Sequence, residues 1–349
     1  MRKIMLICPS NLSHMPYVKN YTNKLDEQNI EYEIINWDRM HIENLNDNVY
    51  RDDKIGLQRN IFDYFKFSSF ILKKINLDNY FLIIFGLQLT FFMRKILKKK
   101  YKQNYILDIR DKNKIIHFFN LKKIVECSYE TVISSRGYET WLPKKKYIIN
   151  HNTELEYPVE IDEKLTINFN KICISSYGNI RDYDINIQLI NNVKNSNEFH
   201  FLFYGEGTIK DKLENYCKKN EIKNGSFYGR YLKKEEKEII ENSSFVNVLR
   251  FNDSENNATA LPNRLYNALQ VGRPLLAYKG TYLSKIIEDY QIGIVIQDLD
   301  NMVPEIKSYV NKFDSFEFNK NRSLFLNAVA RENVEFYNLL SKKIKIKGE

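Results

Sequence analysis

The sequence is short of cysteine, glycine and proline, and it has no long uninterrupted apolar run. Four cysteines in 349 residues are too few for a disulfide framework, and none has the C-x-x-C spacing of a structural zinc site. The longest apolar stretch, residues 80–93, is interrupted by polar residues and is too short to span a bilayer. With 43% hydrophobic and 28% charged residues, the composition excludes a wholly disordered chain.

The first ten residues, MRKIMLICPS, are basic and then apolar, as at the start of a signal peptide. The apolar run Ile4–Cys8 is too short for the core of such a peptide, and no small-residue cleavage site follows it. A buried first strand explains the run better. We therefore expect a cytoplasmic protein, either free or associated with the inner face of the plasma membrane.

Positive charge is concentrated in the first half of the chain. The formal net charge is +9, and residues 1–160 contain 26 Lys or Arg against 19 Asp or Glu. Residues 94–102 include six basic residues and follow directly on three apolar ones. Such a cluster can bind an anionic membrane surface or nucleic acid, or it can be a solvated helix face. Because no nucleic-acid module motif is present, we expect no nucleic-acid partner. The candidates for membrane or acceptor contact are Phe91, Phe92, Arg94, Lys95, Lys98, Lys99 and Lys100.

Strand-like and helix-like segments alternate along the whole chain, which predicts parallel sheets with right-handed crossovers. The first half predicts strands at 3–8, 31–35, 80–85, 105–109, 131–134 and 147–149, with helices at 17–27, 61–75 and 112–126. The second half predicts strands at 171–175, 198–204, 225–228, 245–249, 274–277 and 293–296, with helices at 185–193, 209–219, 233–241, 265–271 and 282–290. A polar stretch at 151–169 separates the two series. We expect two doubly wound α/β domains, residues 1–160 and 161–320, followed by a closing helix and a basic tail over 321–349.

Three successive strands of the second half run into glycine. Gly178 follows the first of them, Gly205-Glu206-Gly207 the second, and Gly229-Arg230-Tyr231 the third. Glycine at these positions permits tight turns and lets a ligand approach the backbone. The helices that follow present free N–H groups, which suit a phosphate, and Arg181 and Arg230 add positive charge. The series indicates a nucleotide site.

The segment 259–274, TALPNRLYNALQVGRP, is the strongest local signal. A loop with Pro262 and Asn263 enters a short helix that ends at a glycine, and a proline starts the next strand. Arg264 lies in the first turn of that helix, where a cation opposes the helix dipole. This placement indicates an anionic partner for Arg264, either a ligand phosphate or a surface carboxylate. Gly280 and Thr281 open another helix start that suits an anion.

Together these motifs make the second half resemble the donor-binding domain of GT-B glycosyltransferases of the large group that includes many bacterial polysaccharide-building enzymes. The resemblance covers about residues 171–296 and lies in the order and spacing of the glycine turns, the P-N-R-L segment and the later G-R-P. It implies two Rossmann-like domains facing across a cleft. It also implies transfer of a sugar from a nucleoside-diphosphate sugar, most often a UDP-sugar, to a glycan or polyprenyl-linked acceptor in capsule, exopolysaccharide or O-antigen synthesis, with no metal or other cofactor.

The resemblance also implies where the donor binds. Relatives carry two glutamates, one near the sugar and one at the ribose hydroxyls, where this chain has Thr259 and Asn267. Asn267 can still donate and accept hydrogen bonds. The predicted donor-binding residues are Gly178, Arg181, Gly205, Glu206, Gly207, Gly229, Arg230, Tyr231, Pro262, Asn263, Arg264, Asn267, Gly280 and Thr281.

The first half resembles the acceptor domain less closely, through YILDIRD at 105–111 and TVISSRG at 131–137. The glycine-rich turn often found after the first strand of relatives is replaced by PSNLSH at 9–14. An inverting transfer needs a base that deprotonates the acceptor hydroxyl. Asp108, Asp111 and His14 are the candidates for this base, and Arg110 is a candidate for holding a phosphate. The alternatives are an ion pair at the strand end for Asp108, Arg110 and Asp111, and an ordinary loop histidine for His14.

Three other functions compete with this interpretation. A metal-dependent GT-A transferase needs a D-x-D string, which occurs at 182–184 and 298–300. A sugar-nucleotide epimerase shares the GT-B fold. A catalytically silent GT-B subunit that stabilises an active transferase fits the missing glutamates and the altered first loop.

Overall fold

The computed structural model describes residues 3–75, 80–162, 167 and 169–346, and the chain divides into two compact units. The first unit contains the residues up to Glu154 together with the segment that begins at Arg331. The second unit is Leu155–Ala330. Each unit is built on one sheet whose strands are all parallel.

The sheet of the first unit has seven strands in the order β3-β2-β1-β4-β5-β6-β7. These strands are β1 (Ile4–Cys8), β2 (Tyr32–Trp37), β3 (Val49–Tyr50), β4 (Phe81–Phe85), β5 (Tyr105–Ile109), β6 (Glu130–Ile133) and β7 (Ile148–Ile149). The helices are α1 (Lys19–Glu27), α2 (Ile61–Ile75), α3 (Leu87–Lys99) and α4 (Leu121–Cys127). Every residue of β1, β4 and β5 is buried, as expected for central strands that helices cover on both faces.

The expectation of one helix over 112–126 is wrong. The segment forms a 3-10 turn, Lys114–Phe118, and then the short helix α4. Two asparagine side chains divide it, because Asn113 accepts a hydrogen bond from the backbone N–H of Ile115 and Asn120 accepts one from that of Lys123. Asparagine is a strong helix N-cap, so the second cap starts a new helix.

The sheet of the second unit has six strands in the order β10-β9-β8-β11-β12-β13. These strands are β8 (Ile172–Tyr177), β9 (Phe199–Tyr204), β10 (Gly225–Gly229), β11 (Phe245–Asn247), β12 (Leu275–Tyr278) and β13 (Gly293–Ile296). The helices are α5 (Tyr183–Val193), α6 (Lys210–Lys219), α7 (Glu236–Glu241), α8 (Glu255–Thr259), α9 (Asn263–Val271), α10 (Tyr282–Tyr290) and α11 (Met302–Asn311). Helices α8 and α11, and strand β3 of the first unit, are not predicted by the sequence pattern.

The C-terminal helix α12 (Ser315–Ile346) contributes to the core of each unit. Phe325 packs in the core of the second unit, and Phe336 packs in that of the first. Within the first unit, the imidazole Nε2 of His151 lies 2.6 Å from a carboxylate oxygen of Glu332 on α12. Burial by itself raises the pKa of Glu332, but the bond to His151 outweighs it, so the pKa is lowered. These contacts attach the end of the helix to the first sheet.

The strand orders give each sheet a topological switch point, where successive connections leave in opposite directions. It lies between β1 and β4 in the first unit and between β8 and β11 in the second. Ligands of open α/β sheets bind outside the carboxyl ends of the strands at such points. The residues that follow β1, β4, β8 and β11 are therefore the first places to look for a site.

Candidate nucleotide site

One arginine lies at the switch point of the second sheet. Arg264, in the first turn of α9, donates from Nη1 to the carbonyl oxygen of Asn247, the last residue of β11, at 2.8 Å. The hydroxyl of Tyr177, the last residue of β8, donates to the backbone carbonyl of Arg264 at 3.5 Å. Arg264 is thus held at the carboxyl ends of the two strands that flank the switch point.

The surroundings of Arg264 favour binding of an anion. Burial has the largest effect on its guanidinium and lowers the pKa, and the positive charge of Arg181 lowers it further, while Tyr177 and Asp182 act in the opposite direction. Arg181 forms an ion pair at 3.3 Å with Asp182, whereas Arg264 has no carboxylate within salt-bridge distance among the residues that the structure describes. A half-buried cation that is bonded to a carbonyl and lies near a second cation is stabilised when a negative charge joins it.

Gly178 and Tyr231 lie beside these arginines. Gly178 has a φ of +88°, and a Cβ built on it would come no closer than 3.9 Å to any neighbour, the Tyr231 hydroxyl. The space above this turn is therefore open. Glycine adopts this positive φ with little steric strain, whereas most other residues do not.

Gly205 and Gly207 have a different reason to be glycine. A Cβ on Gly205 would lie 2.0 Å from the carbonyl oxygen of Gly178, and one on Gly207 would lie 2.0 Å from that of Ile180. The turns after β8 and β9 therefore pack directly against each other. These two glycines are explained by that packing, which corrects the expectation that each glycine turn opens the backbone to a ligand.

The remaining predicted donor residues are spread along the edge of the sheet. Glu206 is exposed, and its carboxylate lies 3.7 Å from the Lys210 ammonium. Arg230 and Asn263 are also exposed. Pro262 is the N-cap residue of α9. Gly229 has a positive φ and borders the Glu206 carboxylate. The Thr281 side chain caps α10 by accepting from the N–H of Ser284, and the carbonyl of Gly280 accepts from Asn252. The structure brings Gly178, Arg181, Tyr231, Arg264 and Asn267 together and leaves Gly280 and Thr281 with the loop of Asn252.

Glu236 is a carboxylate at this site that the sequence analysis missed. One of its oxygens accepts from the Asn267 amide at 2.6 Å and from the Lys233 ammonium at 2.5 Å, and the other accepts from the Tyr231 hydroxyl at 3.0 Å. Its side chain is only 12% exposed. No local motif marks it, because Glu236 precedes Asn267 by 31 residues and only the fold joins them. Thr259, the other departure from relatives, is buried in α8 and bonds the carbonyl of Glu255.

In the first unit, Asp108 and Arg110 form a buried ion pair. Two guanidinium nitrogens of Arg110 donate to the two carboxylate oxygens of Asp108, each at 2.6 Å. The other donors reach Asn150 and Asn152, so all five N–H groups of Arg110 are used. Asp108 also accepts from the Tyr21 hydroxyl at 2.6 Å. Burial alone lowers the pKa of Arg110, but the Asp108 carboxylate outweighs it and raises the pKa.

This geometry corrects two of the predicted roles. Asp108 is fully buried and accepts three hydrogen bonds, so it cannot reach an acceptor hydroxyl as a base. Arg110 has no N–H left for a phosphate. The ion pair that the sequence left open as an alternative is the one present. Asp111 and His14, in contrast, are exposed after β5 and β1, at the carboxyl edge of the sheet.

The predicted basic cluster occupies α3 and its C-cap. Lys95, Lys98, Lys99 and Lys100 are exposed. The two aromatic residues are partly covered: the Arg94 guanidinium lies 4.0 Å from the ring of Phe91, and Phe92 stacks on Tyr64 at 5.9 Å. The apolar part of this prediction is therefore less exposed than expected.

The D-x-D strings lie at the starts of helices. Asp182 is the N-cap residue of α5 and pairs with Arg181, and Asp298 accepts from the backbone N–H of Asp300. In the part of the chain that the structure describes, no group of three His, Cys, Asp or Glu side chains is arranged to hold a metal ion.

Solved structures match this chain over nearly its whole length. Sucrose-phosphate synthase from Thermosynechococcus elongatus gives a TM-score of 0.70 at 13% identity, covering 99% of this chain and 100% of that one. The lipopolysaccharide outer core galactosyltransferase WaaB gives 0.63 at 10%, covering 97% and 99%. Anabaena HepE in complex with UDP gives 0.63 at 10%, covering 98% and 100%. No protein-family model and no curated protein sequence matches the chain.

The two all-parallel sheets and these neighbours confirm the predicted fold class: the chain has the two α/β domains of the GT-B fold. Within that class, its fold matches those of the galactosyltransferase WaaB and of HepE in complex with UDP. At identities of 13% and below, the likeness establishes the fold.

Proposed function

We propose that this chain is a glycosyltransferase that moves a sugar from a UDP-sugar to a glycan or lipid-linked glycan in cell-surface polysaccharide synthesis, at the inner face of the plasma membrane. The observation that carries the proposal is Arg264, a half-buried arginine at the switch point of the second sheet that has no carboxylate partner among the described residues. A nucleoside diphosphate supplies the anion that this position requires. HepE, of the same fold, has been solved with UDP and with UDP and glucose.

The proposed chemistry follows from the charges at the site. Transfer breaks the bond between the anomeric carbon and the diphosphate oxygen, so negative charge grows on the leaving group. Arg264 and Arg181 stabilise that charge, which is the task that a divalent ion performs in metal-dependent transferases. If the transfer inverts the anomeric centre, the acceptor hydroxyl loses its proton to an exposed base, and His14 and Asp111 are the residues available for this.

Glu236 takes the place of the ribose carboxylate in this proposal. Asn267 and Tyr231 orient its carboxylate, and a carboxylate binds a diol more strongly than a neutral amide does. We expect Glu236→Gln to weaken UDP binding by about tenfold, because a charge-assisted hydrogen bond becomes a neutral one. Titration calorimetry with UDP measures the change. Glu238→Gln, an exposed glutamate of the same helix, is the matched control and should bind as the wild type does. Equal affinity of the Glu236 variant would reduce Glu236 to a structural partner of Asn267.

A thermal-shift panel tests the proposal as a whole. The full chain is heated with nucleoside diphosphates and nucleotide sugars, with magnesium and with EDTA. A ligand at 100 times its dissociation constant adds about 2.7 kcal/mol to stability, which is readily detected. We expect UDP and a UDP-sugar to raise the melting temperature equally in magnesium and in EDTA. A shift that requires magnesium would favour the metal-dependent alternative. No shift with any nucleotide would overturn the proposal in favour of a silent partner subunit.

A further inference from the structure

Three segments of the first unit form one helical layer on the sheet, and we call them the docking layer: residues 61–75 (α2), 87–100 (α3 and its C-cap) and 114–127. The ring of Tyr64 on α2 stacks on Phe92 of α3, and Phe91 of α3 packs against Phe119 at 5.8 Å. The three segments therefore lie side by side. Their outward side chains form one continuous surface.

The docking layer is strongly positive. Its segments contain eleven Lys or Arg and two Asp or Glu, so their net charge of +9 equals that of the entire chain. One of the two acids, Asp63, is buried and bonds Lys54 at 2.7 Å. The other, Glu126, is exposed beside Lys123 at 3.7 Å. The outward surface of the layer is thus almost free of negative charge.

Large apolar side chains stand exposed on the same surface. Phe62 is 72% exposed, Phe65 62% and Phe118 74%. The loop before α2 adds Ile55 and Leu57, which are 71% and 57% exposed. Soluble proteins seldom expose several large apolar residues together unless that surface binds something.

These apolar residues lie at one end of the layer. Phe62 and Phe65 are in the first two turns of α2, and Phe118 follows β5 by nine residues. A helix that follows a strand begins at the carboxyl edge of a parallel sheet. The apolar residues are therefore at the edge where His14 and Asp111 are exposed, and Lys98, Lys99 and Lys100 lie at the far end of α3.

We propose that the docking layer binds the surface of an anionic lipid bilayer. Phenylalanines at one end of the layer enter the boundary between headgroups and acyl chains, and lysines along the rest of the layer bind lipid phosphates, as on an amphipathic helix that lies in the plane of a membrane. A bilayer fits better than nucleic acid, because nucleic acid offers the exposed apolar side chains no hydrocarbon. It fits better than a protein surface, because a layer with a net charge of +9 calls for a dense field of anions. In the part of the chain that the structure describes, no helix is long and apolar enough to cross a membrane.

Docking in this way brings the carboxyl edge of the first sheet, where His14 and Asp111 are exposed, to the membrane. That orientation suits an acceptor carried on a lipid and rests on the proposed function, whereas docking itself does not. The layer is in the first unit and the nucleotide site is in the second. Failure of one test therefore leaves the other interpretable.

The test is co-sedimentation of the full chain with vesicles of phosphatidylcholine, with and without phosphatidylglycerol, at low and high salt. We expect binding only to the anionic vesicles, with weaker binding at high salt because salt screens the lysines. Charge reversal of Lys98, Lys99 and Lys100 to Glu should weaken binding by about tenfold or more. The double variant Phe62→Ser/Phe65→Ser should weaken it by a similar factor while UDP still raises the melting temperature.

Matched variants in the second unit serve as controls. Charge reversal of the exposed Lys212, Lys219 and Lys234 should leave vesicle binding within about twofold of the wild type, and so should Phe316→Ser, whose side chain is as exposed as that of Phe62. Equal binding by wild type and docking-layer variants would overturn the proposal, as would equal binding to neutral vesicles. Self-association lost in Phe62→Ser/Phe65→Ser, without vesicle binding by the wild type, would assign the surface to a protein partner instead.

Discussion

Replacing Arg264 by methionine should weaken UDP binding about 100-fold, roughly 3 kcal/mol, while costing the free protein little stability. In the free protein, the Arg264 guanidinium is half-buried, bonded to the carbonyl of Asn247 and repelled by Arg181. Removing its charge therefore offsets the loss of the hydrogen bond to that carbonyl. In the complex, the diphosphate pairs with that charge. Methionine keeps most of the volume of the side chain and removes the charge.

A buried arginine nearby in the sequence provides the control. Arg273, just beyond the C-cap of α9, donates to the carbonyl oxygens of Gly272 at 3.2 Å and Glu241 at 2.6 Å. Burial lowers its pKa as it does for Arg264. Arg273→Met should destabilise the protein by about 1–3 kcal/mol, because those carbonyls lose their donors, and should not change UDP affinity. Calorimetric titration and melting temperatures of both variants separate the two roles. If Arg264→Met binds UDP like the wild type, Arg264 is not in the site.

Local pattern determined the elements that the sequence predicted best. Helices α2 and α10 and strand β13 have the predicted bounds, residues 61–75, 282–290 and 293–296. Their signals are contained in neighbouring residues: an apolar periodicity, a Thr281 cap before α10 and a short buried run after it. The prediction of one helix over 112–126 was wrong because it relied on the same kind of local signal. The apolar spacing of this region is helical, and the spacing does not register the two asparagine caps that divide the region.

The candidate site was only partly predictable, because its contacts join distant residues. The unfavourable position of Arg264 in its helix was visible in the sequence and indicated an anion. The carboxylate of Glu236 beside Asn267 was not visible, because no motif links two side chains on different helices. The position of a glycine after a strand likewise does not reveal whether the glycine faces a ligand or packs against another turn. Gly178 faces open space while Gly205 packs against it, and both follow a strand in the same way.

The buried ion pair of the first unit gives the other large expected effect. Asp108→Ala should lower the free energy of unfolding of that unit by about 3–5 kcal/mol, because it leaves the Arg110 charge buried without its partner. Both tryptophans of the chain, Trp37 and Trp141, are in the first unit, so the fluorescence change in a urea titration reports the unfolding of this unit. If Asp108 were a catalytic base, the Asp108→Ala variant would instead lose turnover while its stability stayed unchanged.

A double variant distinguishes loss of the pair from loss of packing. Asp108→Leu/Arg110→Met removes both charges and fills similar volume, so it should be clearly more stable than Asp108→Ala, although Asn150, Asn152 and Tyr21 lose their partners. A cycle through the single variants gives the coupling between the two side chains. If Asp108→Ala unfolds at the wild-type urea concentration and transfers no sugar, the ion pair contributes little to stability and Asp108 returns as a candidate base. We expect the opposite, because Asp108 in β5 and Arg110 directly after the strand are both buried and bond each other, with Tyr21 and Asn150 completing their hydrogen bonds.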